Sequence, residues 1–320
     1  MTPYDEQAIS AWRAENKSKA MLLLSRGDGE ADAQLSRFCD RLQALVPELT
    51  IRRPSDELFR APALIVGRHR NIAYQALPTG RELPPFLNAL AQGVDGAASE
   101  PPQPAAAQIR LPTDLTLFIA AQCPHCPQAA AQLIALAGAN DQVRLTLIDG
   151  AMFPEPVRVH AIRSVPTLIL EDRVRWTGSL ELAEIVDQCI RRDPTQLSAA
   201  SLRQIIETGD APRLAGMMTE CGRIFPSLAD LICHERWSVR LGAMVTMEYL
   251  SGDAPELAAG FIPLLRQRFG GLPETVQVDV VQVLAQTRHV MAREWLERLV
   301  KEDVYPSVKE AAAEELDLWP

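Results

Sequence analysis

The chain has 320 residues, of which 47% are hydrophobic and 23% are charged, and its formal net charge is -9 at pH 7. This length predicts two or three domains, and the composition is ordinary for a soluble globular protein. Nucleic-acid binding needs a basic surface, so the net negative charge of the chain argues against nucleic-acid binding. Residues 196–320 are the least suited to that role, with 12 Lys and Arg against 18 Asp and Glu.

The chain start and the cysteines predict a cytoplasmic protein. The residues after Met1 lack the basic and apolar segments of a signal peptide. Residues 115–140 contain no Asp, Glu, Lys or Arg, which is long enough for a membrane span. Pro124, His125 and Pro127 interrupt this stretch, so it is interpreted as strand, turn and helix, and no membrane association is expected. In the cytoplasm, six cysteines indicate a catalytic or metal-binding pair more than a disulfide framework.

Residues 15–95 are predicted to form a first α/β domain. Short apolar runs indicate strands, and apolar residues at helical spacing indicate helices. The predicted elements are a strand at 19–25, a helix at 32–45, a strand at 49–52, a hairpin of 61–66 and 72–75, and a helix at 82–92. Residues 96–111, rich in Ala and Pro, are predicted to be a linker.

Residues 112–194 repeat this order of elements and form the second predicted domain. The elements are a strand at 115–120, a helix at 124–137, a strand at 143–148, a hairpin of 167–170 and 174–176, and a helix at 180–191. In both domains a small residue and a proline precede the third strand, at Ala61-Pro62 and Val165-Pro166. The simplest description is two βαβ–ββα units in tandem.

Residues 195–320 show helical periodicity without strand signals, and they form the third predicted domain. Three segments share Ser or Thr, then Val, then a small or apolar run, at 238–244, 275–281 and 307–313. Their spacing fits stacked helical pairs, and the pattern resembles the HEAT-repeat family. An irregular helical bundle is the alternative. A solenoid would dock a client or redox partner; otherwise these helices only dimerise the protein or cap the second domain.

The sequence Cys123-Pro124-His125-Cys126 follows a predicted strand and begins a predicted helix. This context is typical of a redox dithiol. A helix N-terminus stabilises a thiolate, so Cys123 is expected to be the exposed nucleophile. Cys126, one turn into the helix, is expected to resolve the mixed disulfide. Pro124 suits the first helical position, and His125 can add positive charge beside the thiolate. The first domain has Gly-Asp-Gly-Glu at the matching place, 27–30, and cannot perform thiol chemistry there.

The dithiol segment and two further segments support a family comparison. They are Cys123–Pro127, Leu147–Gly150 with Phe153, and Ser164–Thr167. Together they resemble the thioredoxin superfamily and, more closely, the N-terminal domain of the alkyl hydroperoxide reductase flavoprotein subunit. That domain consists of two fused thioredoxin folds, and only the second bears a dithiol. The fold class implied is therefore α/β, with tandem thioredoxin-like folds followed by the helical region.

The resemblance also implies roles for residues outside the dithiol. Val165-Pro166 would be a cis peptide bond facing the dithiol, with Pro166 shaping the substrate groove; cis geometry is essentially confined to X-Pro bonds. Glu82 matches the place of an acidic residue in the first fold and would assist proton transfer to or from Cys126. The alternative for Glu82 is an exposed glutamate that favours a helix start.

The chain departs from that family in its cofactors. No Gly-x-Gly-x-x-Gly motif follows a predicted strand, so no nicotinamide or flavin cofactor is expected. The predicted activity is disulfide exchange with a disulfide-bearing protein client, and a separate reductase or oxidant would recharge the dithiol. One alternative is a redox-sensing scaffold with little turnover. Another is a zinc-binding module that adds Cys233-His234 and Cys221 to the dithiol, although these cysteines, like Cys39 and Cys189, are otherwise expected to pack as small apolar residues.

Overall fold

A computed structural model describes residues 1–16, 20–53, 59–92, 104–207 and 209–319. The chain divides into two compact units, Met1–Arg192 and Asp193–Pro320. In the described part of the chain, no helix has the length and apolar character needed to cross a membrane.

The first unit is built around one eight-stranded sheet. Its strands are β1 Met21–Ser25, β2 Thr50–Arg52, β3 Ala63–Val66, β4 Ile72–Gln75, β5 Thr113–Ile119, β6 Val143–Asp149, β7 Thr167–Leu170 and β8 Val174–Thr177. The helices are α1 Pro3–Glu15, α2 Gly29–Leu45, α3 Leu83–Gln92, α4 Cys126–Ala139, α5 Pro154–Val159 and α6 Leu182–Arg191. The strand order across the sheet is β2-β1-β3-β4-β6-β5-β7-β8.

The strand directions bring several loops to one edge of this sheet. Strand β6 pairs in parallel with both β4 and β5, so the carboxyl ends of these three strands lie side by side. Gln75 at the end of β4 is opposite Ile148, and Ile119 at the end of β5 is opposite Asp149. Polar side chains that follow these strands therefore meet at this edge, which is where ligands bind in sheets of this kind.

The observed elements follow the predicted order, with β1-α2-β2-β3-β4-α3 in the first half and β5-α4-β6-α5-β7-β8-α6 in the second. The prediction omitted α1 and α5. The predicted linker, 96–111, lies partly outside the described residues. Its described end contains a 3-10 helix at Pro104–Gln108, and Ala106 and Ile109 are buried in the main core. This part of the segment therefore packs against the domain.

The sheet separates a main apolar cluster on one face from two smaller clusters, because successive strand residues point to opposite faces. Leu115, Leu117 and Ile119 of β5 join the main cluster, which also receives residues from α1, α2, α3, α4 and α6. Phe118 points to the other face and packs with Ile148 and Ile169 in a small cluster beside α5.

The second unit is helical. Its helices are α7 Ala199–Glu207, α8 Ala211–Cys221, α9 Leu228–Ile232, α10 Trp237–Asp253, α11 Pro255–Ala259, α12 Ile262–Phe269, α13 Glu274–Gln286, α14 Val290–Leu299 and α15 Pro306–Asp317. The three segments that share the Ser/Thr-Val pattern lie in α10, α13 and α15, and these helices pack in that order. The buried guanidinium of Arg240 in α10 joins the first two by an ion pair with Asp279 of α13, at 2.6 Å.

A candidate redox site at the sheet edge

The dithiol lies between the end of β5 and the start of α4. Cys123 and Cys126 are joined in a disulfide, with their Cα atoms 5.5 Å apart. The prediction that Pro124 occupies the first helical position is wrong. Helix α4 begins at Cys126 with His125 as its N-cap residue, and Pro127 takes the early helical position where a missing N–H is harmless.

The two sulfurs differ in accessibility. Cys123 is 8% exposed to solvent, whereas Cys126 is completely buried. Cys123 was expected to be exposed, but in the disulfide it is nearly covered. An attacking thiolate can still reach only Cys123 from solvent. The backbone N–H of Cys126 donates a hydrogen bond to Cys123 Sγ at 3.1 Å, which would stabilise negative charge on that sulfur after reduction.

The loop before β7 lies over the dithiol. Cys123 Sγ is 3.7 Å from the carbonyl oxygen of Val165, and the Val165-Pro166 bond is cis. Two hydrogen bonds fix this loop: the Gly178 N–H donates to the Pro166 carbonyl at 2.9 Å, and the Thr167 hydroxyl donates to the Ser164 carbonyl at 2.8 Å.

A groove with a volume of about 410 Å³ adjoins the dithiol and contains no carboxylate, lysine or arginine among its lining residues. It is lined by His125, Gln128, Ala129 and Gln132 of the α4 region, Val165 and Pro166, and Gly178, Ser179 and Leu180. This lining combines apolar surface with neutral amide and hydroxyl groups, so it suits a polypeptide segment better than a small charged thiol.

The structure places Glu82 in the interior, contrary to the alternative of an exposed helix-start glutamate. Its side chain is 3% exposed, and neither carboxyl oxygen has a hydrogen-bond partner in the described residues. The 3-10 turn Gly80–Glu82 packs against α4, which begins at Cys126. Burial, and then the nearby carboxylate of Asp149, raise the pKa of Glu82 to about 7. A carboxyl with that pKa can take up or release a proton near neutral pH.

Two further acidic residues act on Glu82 or on its turn, and the sequence patterns assigned a role to neither. Asp149 ends β6 and accepts a hydrogen bond from the Ala151 N–H at 2.8 Å. Asp5 of α1 is fully buried and accepts a hydrogen bond from the Gly80 N–H at 2.8 Å, within the turn that carries Glu82. No local sequence signal links α1 to this turn, because the contact spans 75 positions.

The matching place in the first half of the sheet has no thiol. Gly27 follows β1 and packs against Pro62, whose peptide bond with Ala61 is also cis. A Cβ atom on Gly27 would lie only 2.9 Å from Pro62 Cδ, so a larger residue does not fit without a backbone shift.

The remaining cysteines do not join the dithiol in a disulfide. Cys39 and Cys189 are buried, and burial raises the pKa of each thiol to about 12. Burial also raises the pKa of Cys233 to about 11. The expectation that Cys221 packs in a core is wrong, since it is exposed at the end of α8. Among the residues that the structure describes, no three His, Cys, Asp or Glu side chains group as metal ligands.

Comparison with known proteins places the dithiol segment in a family of domains. Residues 114–191 match the family model of a thioredoxin domain. The region that contains the dithiol is therefore a thioredoxin-like α/β domain, and it is followed by the helical unit.

Curated relatives match a larger part of the chain at low identity. An NADH dehydrogenase from Ferdinandcohnia aciditolerans is 26% identical over 194 residues, which is 59% of this chain and 37% of the relative. The F subunit of alkyl hydroperoxide reductase from Pseudomonas aeruginosa is 24% identical over 205 residues, which is 60% of this chain and 38% of the relative. The chain thus spans less than two fifths of the length of these relatives.

Two solved structures share the fold. The NTD_N/C domain of alkylhydroperoxide reductase AhpF from Enterococcus faecalis is similar with a TM-score of 0.50 and 21% identity, covering 59% of this chain and 99% of that domain. A protein disulfide oxidoreductase from Aeropyrum pernix has a TM-score of 0.50 and 15% identity, covering 62% of this chain and 96% of that protein.

Proposed function

We propose that this chain is a thiol–disulfide oxidoreductase that exchanges disulfides with a protein client through Cys123 and Cys126. The observation that carries the proposal is the asymmetry of the pair: Cys123 is the more accessible sulfur and receives the Cys126 N–H hydrogen bond, whereas Cys126 is sealed. An accessible sulfur that attacks and a buried one that resolves are the two parts that disulfide exchange requires.

In the reducing direction, the Cys123 thiolate attacks one sulfur of the client disulfide. A mixed disulfide forms, and the other client sulfur leaves as a thiolate that takes up a proton. The Cys126 thiol then loses its proton and attacks Cys123 Sγ, which releases the second client thiolate and closes the Cys123–Cys126 disulfide. Two electrons pass from the pair to the client, and the oxidising direction is the same sequence reversed.

Glu82 is proposed as the group that exchanges the proton with Cys126. Its pKa of about 7 suits this role, and its turn packs against the helix that Cys126 begins. Pro166 and Val165, with Gln128 and Gln132, would hold the client segment in the groove beside the dithiol. His125, at the N-cap of α4, would add positive charge beside the Cys123 thiolate.

Residues 15–95 are proposed to be a degenerate thioredoxin-like fold, and residues 195–320 a HEAT-like region that docks the partner. The repeated order of elements in the first unit supports the former. The packing of α10, α13 and α15 in chain order supports the latter. No cofactor is proposed. A separate reductase or oxidant in the cytoplasm would return the Cys123–Cys126 pair to its starting redox state after each exchange.

Catalysed reduction of insulin by dithiothreitol separates an oxidoreductase from a redox-sensing scaffold with little turnover. The wild-type chain is expected to accelerate insulin precipitation, and a variant with both Cys123→Ser and Cys126→Ser is expected to lose the acceleration. Cys221→Ser, which changes an exposed cysteine outside the disulfide, serves as the matched control and should remain fully active. A wild-type rate equal to that of the double variant would reject the enzymatic proposal.

A further inference from the structure

Helix α10 carries a row of apolar side chains that face solvent. Trp237 is 59% exposed, Leu241 is 40% exposed and Tyr249 is 47% exposed, while Val245 between them is half-buried. These four residues follow one another at intervals of four, so they lie along one side of the helix. They are called the α10 stripe below.

The stripe is separate from the face that α10 uses to fold. Val239, Ala243, Met247 and Leu250 of the same helix are buried in the core of the second unit. A contiguous exposed apolar row is unusual on a soluble protein and marks an interaction surface. Trp and Tyr are also the residues most enriched at the centres of protein interfaces.

The charges beside the carboxyl-terminal part of the stripe are acidic, whereas Arg236, the N-cap residue of α10, lies next to Trp237 at the other end. Glu248 lies next to Tyr249, Asp253 is the last residue of α10, and Glu256 follows in α11. Between Arg240 and Arg266 the chain contains no Lys or Arg, and Arg240 itself is buried and paired with Asp279. The carboxyl end of a helix adds partial negative charge.

We propose that the α10 stripe is the docking site for the protein partner, and that the partner presents an amphipathic segment with apolar side chains next to Lys or Arg. This inference rests on the proposed docking role of the helical region and identifies its surface and the chemistry of its partner. Apolar contact would supply affinity at Trp237 and Tyr249, and the acids would select a basic segment. A symmetric contact between two copies of the chain is the competing occupant; it would appear as concentration-dependent self-association in sedimentation measurements and would overturn the inference.

The test measures binding of two labelled helical peptides to the full chain by fluorescence anisotropy. One peptide has leucine on its apolar face and lysine on its polar face, and the other has glutamate in place of lysine. The lysine peptide is expected to bind with an affinity that falls as salt rises, and the glutamate peptide is expected not to bind. Trp237→Ala should lower the affinity for the lysine peptide by about tenfold or more. Leu318→Ala, which removes another apolar residue of this unit, 69% exposed, is the matched control and should bind like wild type.

A second variant keeps the test decisive if Trp237→Ala perturbs folding. Glu248→Lys changes an exposed residue. It should lower the affinity for the lysine peptide and allow the glutamate peptide to bind. Equal binding of both peptides, absence of binding, or lysine-peptide binding that neither variant alters would overturn the inference. Exchange of a small disulfide by the wild-type chain is measured separately, so its absence would reject the proposed function without affecting the binding measurement.

Discussion

The carboxylate of Asp5 accepts a hydrogen bond from the backbone N–H of Gly80 at 2.8 Å, so helix α1 holds the turn that carries Glu82. Asp5 also caps its own helix, accepting from the Thr2 backbone N–H at 2.7 Å. The Asp5 carboxylate is completely buried. A residue at the N-terminus of α1 thus fixes part of the candidate site.

Asp5→Ala is expected to destabilise the first unit by about 1–3 kcal/mol, because it removes a helix cap and leaves the Gly80 N–H without its acceptor. Urea unfolding followed by circular dichroism measures this change. Asp5→Asn retains one acceptor oxygen and should lose less. Equal stability of wild type and Asp5→Ala would show that α1 does not anchor the turn.

The environment of Asp5 also predicts that the stability of the folded protein falls at low pH. Burial acts to raise its pKa, but hydrogen bonds from Thr2 and Gly80 outweigh burial and lower the pKa below the usual 3.8. A carboxyl with a lowered folded-state pKa contributes stability above its unfolded pKa and loses it as pH falls through the folded value. Stability should therefore fall more steeply below about pH 4 in wild type than in Asp5→Asn, as measured by thermal unfolding in a pH series.

Glu82 predicts the opposite trend at higher pH. Its folded-state pKa of about 7 exceeds the usual 4.5, so the folded protein holds a proton that the unfolded chain has released. Stability should fall as pH rises from 4.5 to about 7, by about 2–3 kcal/mol. Glu82→Gln removes the ionisation and should show a flatter profile in urea unfolding. Parallel profiles for the two proteins would contradict the raised pKa.

Glu82 also predicts a kinetic effect. If it accepts the Cys126 proton, the rate at which Cys126 resolves a mixed disulfide should rise with pH through an apparent pKa near 7. Glu82→Gln should slow this step by about 10²-fold near neutral pH and abolish the dependence. Stopped-flow measurement of product release from a preformed mixed disulfide gives the rate. Glu181→Gln, at the exposed start of α6, is the matched control; an equal loss there would point to a general charge effect.

In the second unit, Arg240 is expected to be the most sensitive polar residue of α10. Its guanidinium is buried, pairs with Asp279 and donates to the carbonyl oxygens of His234 at 2.8 Å and Glu235 at 2.7 Å. Arg240→Ala leaves these acceptors unpaired and should destabilise the unit by about 3 kcal/mol or more. Arg293→Ala breaks an exposed pair with Glu297 in α14 and should cost less than about 1 kcal/mol. Similar losses of stability for Arg240→Ala and Arg293→Ala in thermal unfolding would contradict the structural role of Arg240.

The sequence was sufficient to predict the order of the strands and of the other helices in the first unit, though not α1 and α5, and the placement of the dithiol between a strand and a helix. Short apolar runs and the Cys123–Cys126 spacing are local signals, and they do not depend on distant contacts. The start of α4 was misplaced because Pro124 and Pro127 both suit an early helical position, and only the packed backbone distinguishes them.

The parts that the sequence did not reveal depend on tertiary contacts. A glutamate before an apolar helix looks like an exposed residue, but in the folded chain its turn packs against α3 and α4 and Glu82 is buried. Asp5 looks like an ordinary helix-capping residue, and its bond with Gly80 joins positions far apart in the chain. The family resemblance therefore named Glu82, but its burial and the contact between Asp5 and its turn were found only from the structure.

The division of labour between the two sulfurs is tested most directly by trapping. Each single variant is incubated in its reduced form with a peptide that contains one disulfide, and the adducts are located by mass spectrometry. Cys126→Ser should accumulate a stable mixed disulfide on Cys123, whereas Cys123→Ser should accumulate none because Cys126 is buried. Equal adducts in both variants, or an adduct on Cys126 alone, would contradict the assignment of Cys123 as the attacking sulfur.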